Sequence, residues 1–144
     1  MIDANVGGAA NHAYTPTTDL NSNTKYYWHV RAWNVDGDYS AWSDVLSFRE
    51  AILPPGLVAP VSGTTVGSRK PLLDWDDVTG ATEYKLQVSL NSAFSSLVLN
   101  VNVTTSTYTP IVNLAANKLF YWRVKALGPN GPGAWSTVET FHTP

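Results

Sequence analysis

The sequence predicts an all-β protein in which two antiparallel sheets pack face to face, and three observations support this prediction. The stretch LAANKLFYWRVKA at 114–126 has a second copy, LNSNTKYYWHVRA, at 20–32. In both copies apolar residues alternate with polar or amphipathic ones, a period of two that is typical of half-buried strands. About seven short segments of this kind, separated by turn signals, fall within roughly 90 residues. No segment keeps the apolar spacing of an amphipathic helix.

The two copies also predict which side of each strand is buried. Alternate side chains on a strand point to the same side of the sheet. The apolar side, called the inner face below, carries Tyr26, Trp28, Val30 and Ala32 in the first copy and Phe120, Trp122, Val124 and Ala126 in the second. The opposite side is charged or amphipathic, and we expect it to meet water.

An internal repeat divides the chain. Trp28 and Trp122 are 94 positions apart, and the same offset relates Tyr14 to Tyr108. After a one-residue deletion the match continues to the end of the chain, but residues 53–95 have no earlier counterpart. The sequence therefore predicts the C-terminal half of one repeat at 1–52, followed by a complete repeat at 53–144.

Each element follows from local pattern and turn chemistry. Strands are expected at 12–16, 25–34, 42–49, 57–61, 72–75, 82–89, 97–103, 106–110, 118–127 and 135–142, with turns or loops at 7–8, 34–38, 62–70 and 91–96. Pro54, Pro55 and Pro60 exclude a helix or a central strand between the two parts, because proline has no amide donor.

Several of these segments resemble the fibronectin type III family. The resemblance is carried by LDW at 73–75, YKLQV at 84–88, FYWRVKA at 120–126 and GAWS at 133–136. These segments are similar in sequence to the tandem copies found in bacterial surface and secreted proteins. The resemblance implies an immunoglobulin-like β-sandwich for 53–144, preceded by a half-sandwich of the same type.

The same family implies a tyrosine whose hydroxyl fixes the corner before the organising strand. Tyr26 fits this position, but its counterpart Phe120 has no hydroxyl. We expect the second corner to be held by packing alone, since the alternation places Tyr121 on the wrong face to replace it.

Composition argues against several classes of partner. The net charge is −2 with scattered basic residues, which predicts no nucleic-acid binding. No apolar run approaches the ~20 residues of a membrane span, so no membrane insertion is expected. The chain has no cysteine. Its low charge of 14% favours a secreted or cell-surface protein over a cytosolic enzyme.

No group of residues predicts catalysis. His12, His29 and His142 lie far apart and have no acid at ligand spacing, so surface or structural roles are expected. Asp74 and Asp76 share a strand face but are better explained as a solvated face and a turn. No serine–histidine–acid set is recognisable. We therefore expect a non-enzymatic protein with no cofactor and no metal.

Arginines that lie over tryptophans form a candidate binding surface. Arg31 can stack on Trp42, and Arg123 on Trp135. With two flanking tyrosines, the possible aromatic–cationic platform consists of Tyr27, Arg31, Trp42, Tyr121, Arg123 and Trp135. It would bind a glycan or peptide, although a purely structural latch on the hairpin is the favoured interpretation.

The half-repeat has an inner face that no second sheet of the predicted sandwich covers. The side chains expected to be uncovered are Tyr14, Leu20, Tyr26, Trp28, Val30 and Phe48. Because each buried aromatic removes about 150–250 Å² from water, leaving them exposed is costly. We expect a homodimer closed through this face, with Tyr14, Tyr26, Trp28, Val30 and Phe48 at the interface. Docking of the unpaired edge on the complete repeat of the same chain is the alternative.

These features predict a spacer, adhesion or protein-interaction module of an exported tandem-repeat protein. Two alternatives remain open. One is a carbohydrate-binding accessory module of a secreted hydrolase, which exposed aromatics would favour. The other is an engineered self-assembling fragment of a repeat protein.

Overall fold

The computed structural model describes residues 2–6 and 13–144, and within these residues all regular structure is β. His12 and the expected turn at 7–8 lie outside the described residues. The strands are β1 Lys25–Trp28, β2 Leu46–Arg49, β3 Leu57–Ala59, β4 Thr64–Thr65, β5 Leu73–Trp75, β6 Glu83–Ser89, β7 Leu97–Val103, β8 Thr107–Tyr108, β9 Leu119–Gly128, β10 Gly131–Trp135 and β11 Glu139–His142. The described part of the expected strand at 12–16 is not in a strand.

Residues 53–144, called the C-terminal unit below, form a sandwich of two sheets. One sheet has the order β4-β11-β9-β6-β7, with β10 also paired to β9, and the other has the order β3-β5-β8. The strand β9 alternates between buried and half-buried positions along almost its whole length, as its period of two predicts. The inner side chains from both sheets form one core of Leu73, Trp75, Tyr84, Leu86, Val88, Leu114, Phe120, Trp122, Val124, Ala126 and Phe141.

The preceding residues, called the N-terminal unit (1–52), contribute only the two-stranded sheet β1-β2. Tyr26 lies opposite Phe48, and their rings stack with centroids 5.7 Å apart. In the C-terminal unit, Phe120 lies opposite Phe141 with centroids 5.4 Å apart. The two hairpins therefore have matching registers, and their inner faces differ where Trp28 lies opposite Leu46 and Trp122 lies opposite Glu139.

Two expectations about strand extent in the N-terminal unit are wrong, since the strands expected at 25–34 and 42–49 are Lys25–Trp28 and Leu46–Arg49. The first organising strand ends at Trp28 instead of continuing to 34. Beyond it, the amide of Val30 donates to the Ser43 hydroxyl and the amide of Ala32 donates to the Ser40 hydroxyl. The equivalent contact between Val124 and Ser136 does not end β9, because β9 also pairs with β6, whereas β1 pairs with β2 alone.

The sandwich is antiparallel except at one edge. Residues 62–70, expected to be a loop, contain the short strand β4, which pairs in parallel with β11. Phe141 and His142 lie beside Thr64 and Thr65 in this pair. A two-residue strand has no detectable period, so the sequence pattern could not reveal it.

The two corners are held in different ways. The hydroxyl of Tyr26 accepts a hydrogen bond of 2.8 Å from the amide of Asn21, as the family resemblance implies. At the second corner, Arg69 Nε donates to the Leu114 carbonyl at 2.6 Å. Thr143 Oγ1 donates to the Ala115 carbonyl at 2.7 Å. The expectation that packing alone holds this corner is therefore wrong.

Candidate functional site

The outer face of the N-terminal unit carries a ladder of stacked side chains around Trp42. The His29 ring stacks on the Trp42 ring with centroids 3.9 Å apart and an angle of 10° between the planes. The Arg31 guanidinium carbon lies 4.5 Å from the centre of the same ring. Same-face neighbours on an extended chain are about 6.6 Å apart, so the indole lies between the two side chains. Tyr39 extends the ladder, with its ring centre 3.8 Å from Arg31.

A corresponding ladder surrounds Trp135 in the C-terminal unit. The Trp135 ring centre lies 4.2 Å from the Arg123 guanidinium and 4.7 Å from Lys125 Nζ. Phe94 adds a ring 3.9 Å from Arg123. Arg123 also donates to Gln87 Oε1 through Nε and Nη2, at 3.0 and 2.9 Å. Desolvation by these neighbours lowers the pKa of Arg123 below its ordinary value.

A serine latch follows each of these tryptophans. Ser43 Oγ accepts from the amide of Val30 at 3.0 Å, and Ser136 Oγ accepts from the amide of Val124 at 3.1 Å. In each case the serine amide donates back to the carbonyl of the same valine, at 2.8 Å. The Trp-Ser pair thus fastens the returning segment to the organising strand twice, through side chain and backbone.

These contacts decide how the expected platform residues are arranged. Arg31 with Trp42 and Arg123 with Trp135 do meet, but they belong to two separate ladders. Trp42 remains 49% exposed although His29 and Arg31 contact its ring, whereas Trp135 is half-buried beside Arg123 and Lys125. Tyr27 is 66% exposed and contacts only Lys25 Nζ, 5.1 Å from its ring centre, among the described cation–ring contacts. Tyr121 is half-buried.

Sequence reasoning missed part of each ladder. His29, Tyr39, Phe94 and Lys125 were not recognised as members. The alternation did contain the signal for His29 and Lys125, because each lies two residues from an arginine on the same outer face. Phe94 comes from a distant loop, and only the fold brings it to Arg123.

A second set of polar residues joins the two units. Asn23 is 4% exposed, and its Oδ1 accepts a hydrogen bond of 3.0 Å from Arg49 Nη1. Its Nδ2 donates to the Gly80 carbonyl at 3.5 Å, and its own carbonyl accepts from Asn130 Nδ2 at 2.6 Å. Arg49 Nη2 donates to the Pro132 carbonyl at 2.9 Å. The turn at Asn23 and the end of β2 therefore dock on the loops of the C-terminal unit.

The connecting segment is anchored as well. Ile52 is 1% exposed and belongs to the core of the C-terminal unit. Gly133 makes room for it, since a Cβ there would lie 2.6 Å from the Ile52 carbonyl oxygen. Gly128 similarly leaves space for the Asn23 side chain. The junction therefore depends on two close backbone approaches that only glycine permits.

The expected dimer face is open to solvent in the single chain. Trp28 is 45% exposed and Phe48 is 43% exposed, whereas Trp122 is 0% exposed. Tyr14 and Val30 are exposed, and Tyr26 is half-buried against Phe48. The contact with the C-terminal unit uses the turn and Arg49, so docking within the chain leaves the inner face uncovered.

The remaining candidate residues form no recognisable centre. Asp76 is exposed and Asp74 is half-buried, and neither makes a described hydrogen bond through its carboxylate. In residues 2–6 and 13–144, no group of three or more histidines and acids lies together as a possible metal site. The same residues contain no helix that is long and apolar enough to cross a membrane.

Comparisons with known proteins agree with this architecture. A Fn3-like protein from Clostridium thermocellum is 21% identical, with 66% of this chain and 96% of that chain covered and a TM-score of 0.52. The chain has a fibronectin type III-like fold. Lower-scoring matches include the chicken CNTN1 FN1-FN3 domains, at 19% identity, 86% and 44% coverage and a TM-score of 0.49.

Another lower-scoring structure is the Streptomyces avermitilis alpha-L-rhamnosidase complexed with L-rhamnose. It is 18% identical, with 65% of this chain and 10% of that chain covered and a TM-score of 0.48. Residues 5–54 match the family model for the Rha78A-like, N-terminal immunoglobulin domain. The comparison with curated protein sequences gave no match. These comparisons establish the fold, and a fold of this type hosts many functions.

Proposed function

We propose that the chain is a spacer in an exported protein, in which the junction between units fixes the distance and angle between neighbouring sandwiches. The observation that carries the proposal is the buried Asn23 with its contacts to Arg49, Gly80 and Asn130. A flexible tether would leave this turn in water. Burying a polar side chain with its hydrogen bonds satisfied instead favours one geometry over many.

The linker supports the same proposal. Only residues 50–56 separate β2 from β3. Within them, the Glu50 amide donates to the Thr24 carbonyl, and the Ala51 carbonyl accepts from Ser22 Oγ. Pro54 and Pro55 restrict the backbone further. Short, hydrogen-bonded and proline-containing linkers hold domains at a set angle, whereas long glycine- and serine-rich linkers do not.

Distances between spin labels test the spacer directly. The chain has no cysteine, so Ser47→Cys and Asn100→Cys would introduce two unique labelling sites, one on each unit. We expect a narrow distance distribution that broadens in Asn23→Ala. The matched control is Asn117→Ala, since Asn117 has nearly the same positive φ as Asn23, 51° and 53°, but is exposed and lies outside the junction. A broad distribution in the parent chain, or equal broadening in both variants, would refute a fixed spacer.

One observation favours a second candidate, an accessory module of a secreted glycoside hydrolase. Residues 5–54 match a model named for the N-terminal domain of Rha78A-like proteins. Among the platform aromatics, Tyr27 at 66% and Trp42 at 49% keep the largest exposed fractions, and Tyr27 is the more open surface for a sugar. Calorimetric titration with rhamnose-containing oligosaccharides tests this candidate. Binding that is lost in Tyr27→Ala would support this candidate function. The absence of any heat of binding at millimolar sugar would contradict it.

A further inference from the structure

The turn that receives Asn23 contains the single Asn-Gly pair of the sequence, Asn130–Gly131. The pair lies between β9 and β10, and Gly128 lies opposite Gly131 across the base of the turn. Gly131 has a φ of +116°, a conformation that residues with a Cβ rarely adopt, so the turn itself favours glycine here. The same choice leaves no side chain to shield the Gly131 amide nitrogen.

An asparagine followed by glycine places an amide and a nucleophile in adjacent residues. The Gly131 nitrogen loses its proton and bonds to Asn130 Cγ, and the bond from Cγ to Nδ2 then breaks and releases ammonia. Such intramolecular attack is fast when the reacting atoms approach closely. Asn130 is exposed, so water reaches the cyclic imide and opens it at either carbonyl. The products are aspartate and isoaspartate, and the reaction consumes only water.

In the docked chain, the Asn130 amide is already engaged. Its Nδ2 donates to the Asn23 carbonyl at 2.6 Å, and two residues further on the Pro132 carbonyl accepts from Arg49 Nη2 at 2.9 Å. For the Gly131 nitrogen to reach Cγ, the Asn130 side chain must turn away from Asn23 and the turn must open. The rate of a reaction that needs local opening scales with the population of the open state. Contacts between the units therefore slow this reaction.

Loss of the Asn130 amide changes the contacts of the junction in turn. An ionised carboxylate only accepts hydrogen bonds, so it repels the Asn23 carbonyl oxygen to which Nδ2 donated. Arg49 lies beside the turn, with its guanidinium carbon 3.9 Å from where a Cβ on Gly131 would lie. A carboxylate that pairs with Arg49 draws the guanidinium away from Asn23 Oδ1 and the Pro132 carbonyl. Isoaspartate also lengthens the main chain within the turn. Each product therefore weakens the junction.

We infer that Asn130 is a deamidation site under the control of the junction. Docking of the two units slows the reaction, and the completed reaction loosens the junction irreversibly. The site and its protection depend on the contacts of Asn130 alone. The loosening rests on the spacer function proposed above, because a joint that is already flexible has no fixed geometry to lose.

Peptide mapping by mass spectrometry, during incubation of the full chain at mildly alkaline pH, tests the site. We expect Asn130 to lose its amide well before Asn34, which lies in the tip of the N-terminal hairpin but is followed by Val35. Arg49→Met should accelerate the Asn130 reaction about tenfold, because the junction loses a charged donor. Loss of the Asn34 amide before that of Asn130 would overturn the inference.

The matched control for Arg49→Met is Arg31→Met. Arg31 belongs to the same unit but stacks on Tyr39 and Trp42 in the outer-face ladder, so its removal should leave the Asn130 rate unchanged. Equal rates in Arg49→Met and the parent chain would show that docking does not protect Asn130, and would overturn its control by the junction.

Spin labels at Ser47→Cys and Asn100→Cys report on the loosening. The narrow distance distribution of the fresh chain should broaden once Asn130 has been converted. Asn130→Gln is the control, since glutamine must form a larger ring and reacts far more slowly, so its distribution should not change during incubation. A narrow distribution after conversion would overturn the loosening. A broad distribution in the fresh chain would overturn the spacer, while the rates of amide loss still decide whether Asn130 is the site.

Discussion

The N-terminal and C-terminal units contain nearly the same hairpin in two different surroundings. Trp28 and Trp122 occupy equivalent positions, and the stacked pairs Tyr26–Phe48 and Phe120–Phe141 have the same geometry. Yet Trp28 is 45% exposed and Trp122 is 0% exposed. The local sequence determines the strand, its face and its register. Burial depends on whether a second sheet is present to cover that face.

The largest expected difference concerns these two tryptophans. Trp122→Ala should destabilise the C-terminal unit by about 3–5 kcal/mol, because it leaves a core cavity and removes the 2.8 Å hydrogen bond to the Pro60 carbonyl. Trp28→Ala should leave the urea unfolding midpoint of the same unit unchanged in dilute solution. If Trp122→Ala does not fold, Trp122→Phe should still show a clear loss. Equal losses at both positions would contradict the comparison.

The second test concerns the corner that lacks a tyrosine. Arg69→Met should cost about 1.5–3 kcal/mol in the free energy of unfolding, because the half-buried Leu114 carbonyl loses a charged donor. Lys70→Met is the matched control, since Lys70 Nζ donates to the exposed Ile111 carbonyl and should cost little. Equal unfolding midpoints for the two variants would show that the Arg69 side chain does not hold the corner.

The serine latches offer a smaller contrast. Ser136→Ala should cost about 1–3 kcal/mol, because the buried Val124 amide loses its side-chain acceptor. Ser43→Ala removes the same contact in the open unit, where water can replace the hydroxyl. Amide hydrogen exchange of Val124 and Val30 should follow this order, with the larger acceleration at Val124. A larger acceleration of exchange at Val30 would show that burial of the valine amide does not determine how much the serine contact stabilises it.

The smallest expected effect lies in the ladders. Arg123→Met should lower the stability of the C-terminal unit by about 0.5–1 kcal/mol through loss of cation–π contacts. Lys125→Met should cost less, because Lys125 contacts Trp135 alone, whereas Arg123 also contacts Phe94 and Gln87. Thermal unfolding of the two variants side by side measures the difference. A reversed order would mean that the Phe94 and Gln87 contacts add nothing.

Most of the fold could be predicted from the sequence, because alternation and turn residues are local signals. The strand at 97–103 has the expected bounds, and the inner faces of both hairpins are as expected. The parallel strand at Thr64–Thr65 and the Arg69 corner were not predictable. Each depends on a partner far along the chain, and neither leaves a periodic trace.

The junction between the N-terminal and C-terminal units could not be predicted from the sequence, for a related reason. Asn23 lies in a polar turn, and its composition gives no sign that another unit will bury it. The alternation of the sequence around Arg49 predicts only an outward-facing strand residue. The platform residues were individually reasonable, but a pattern cannot reveal that Phe94, from a distant loop, lies against Arg123. Whether any of these residues binds a ligand stays a prediction.

The paired asparagines do not by themselves set a repeating shape. Asn117 has the backbone conformation of Asn23, and its side chain is open to solvent at the far end of the C-terminal unit. A joint at Asn117 would have His142 in the place of Arg49, because the pairs Lys25–Arg49 and Leu119–His142 are equivalent. The guanidinium contacts would be lost there, so the repeated asparagine alone does not imply equal rotations or a filament of constant pitch.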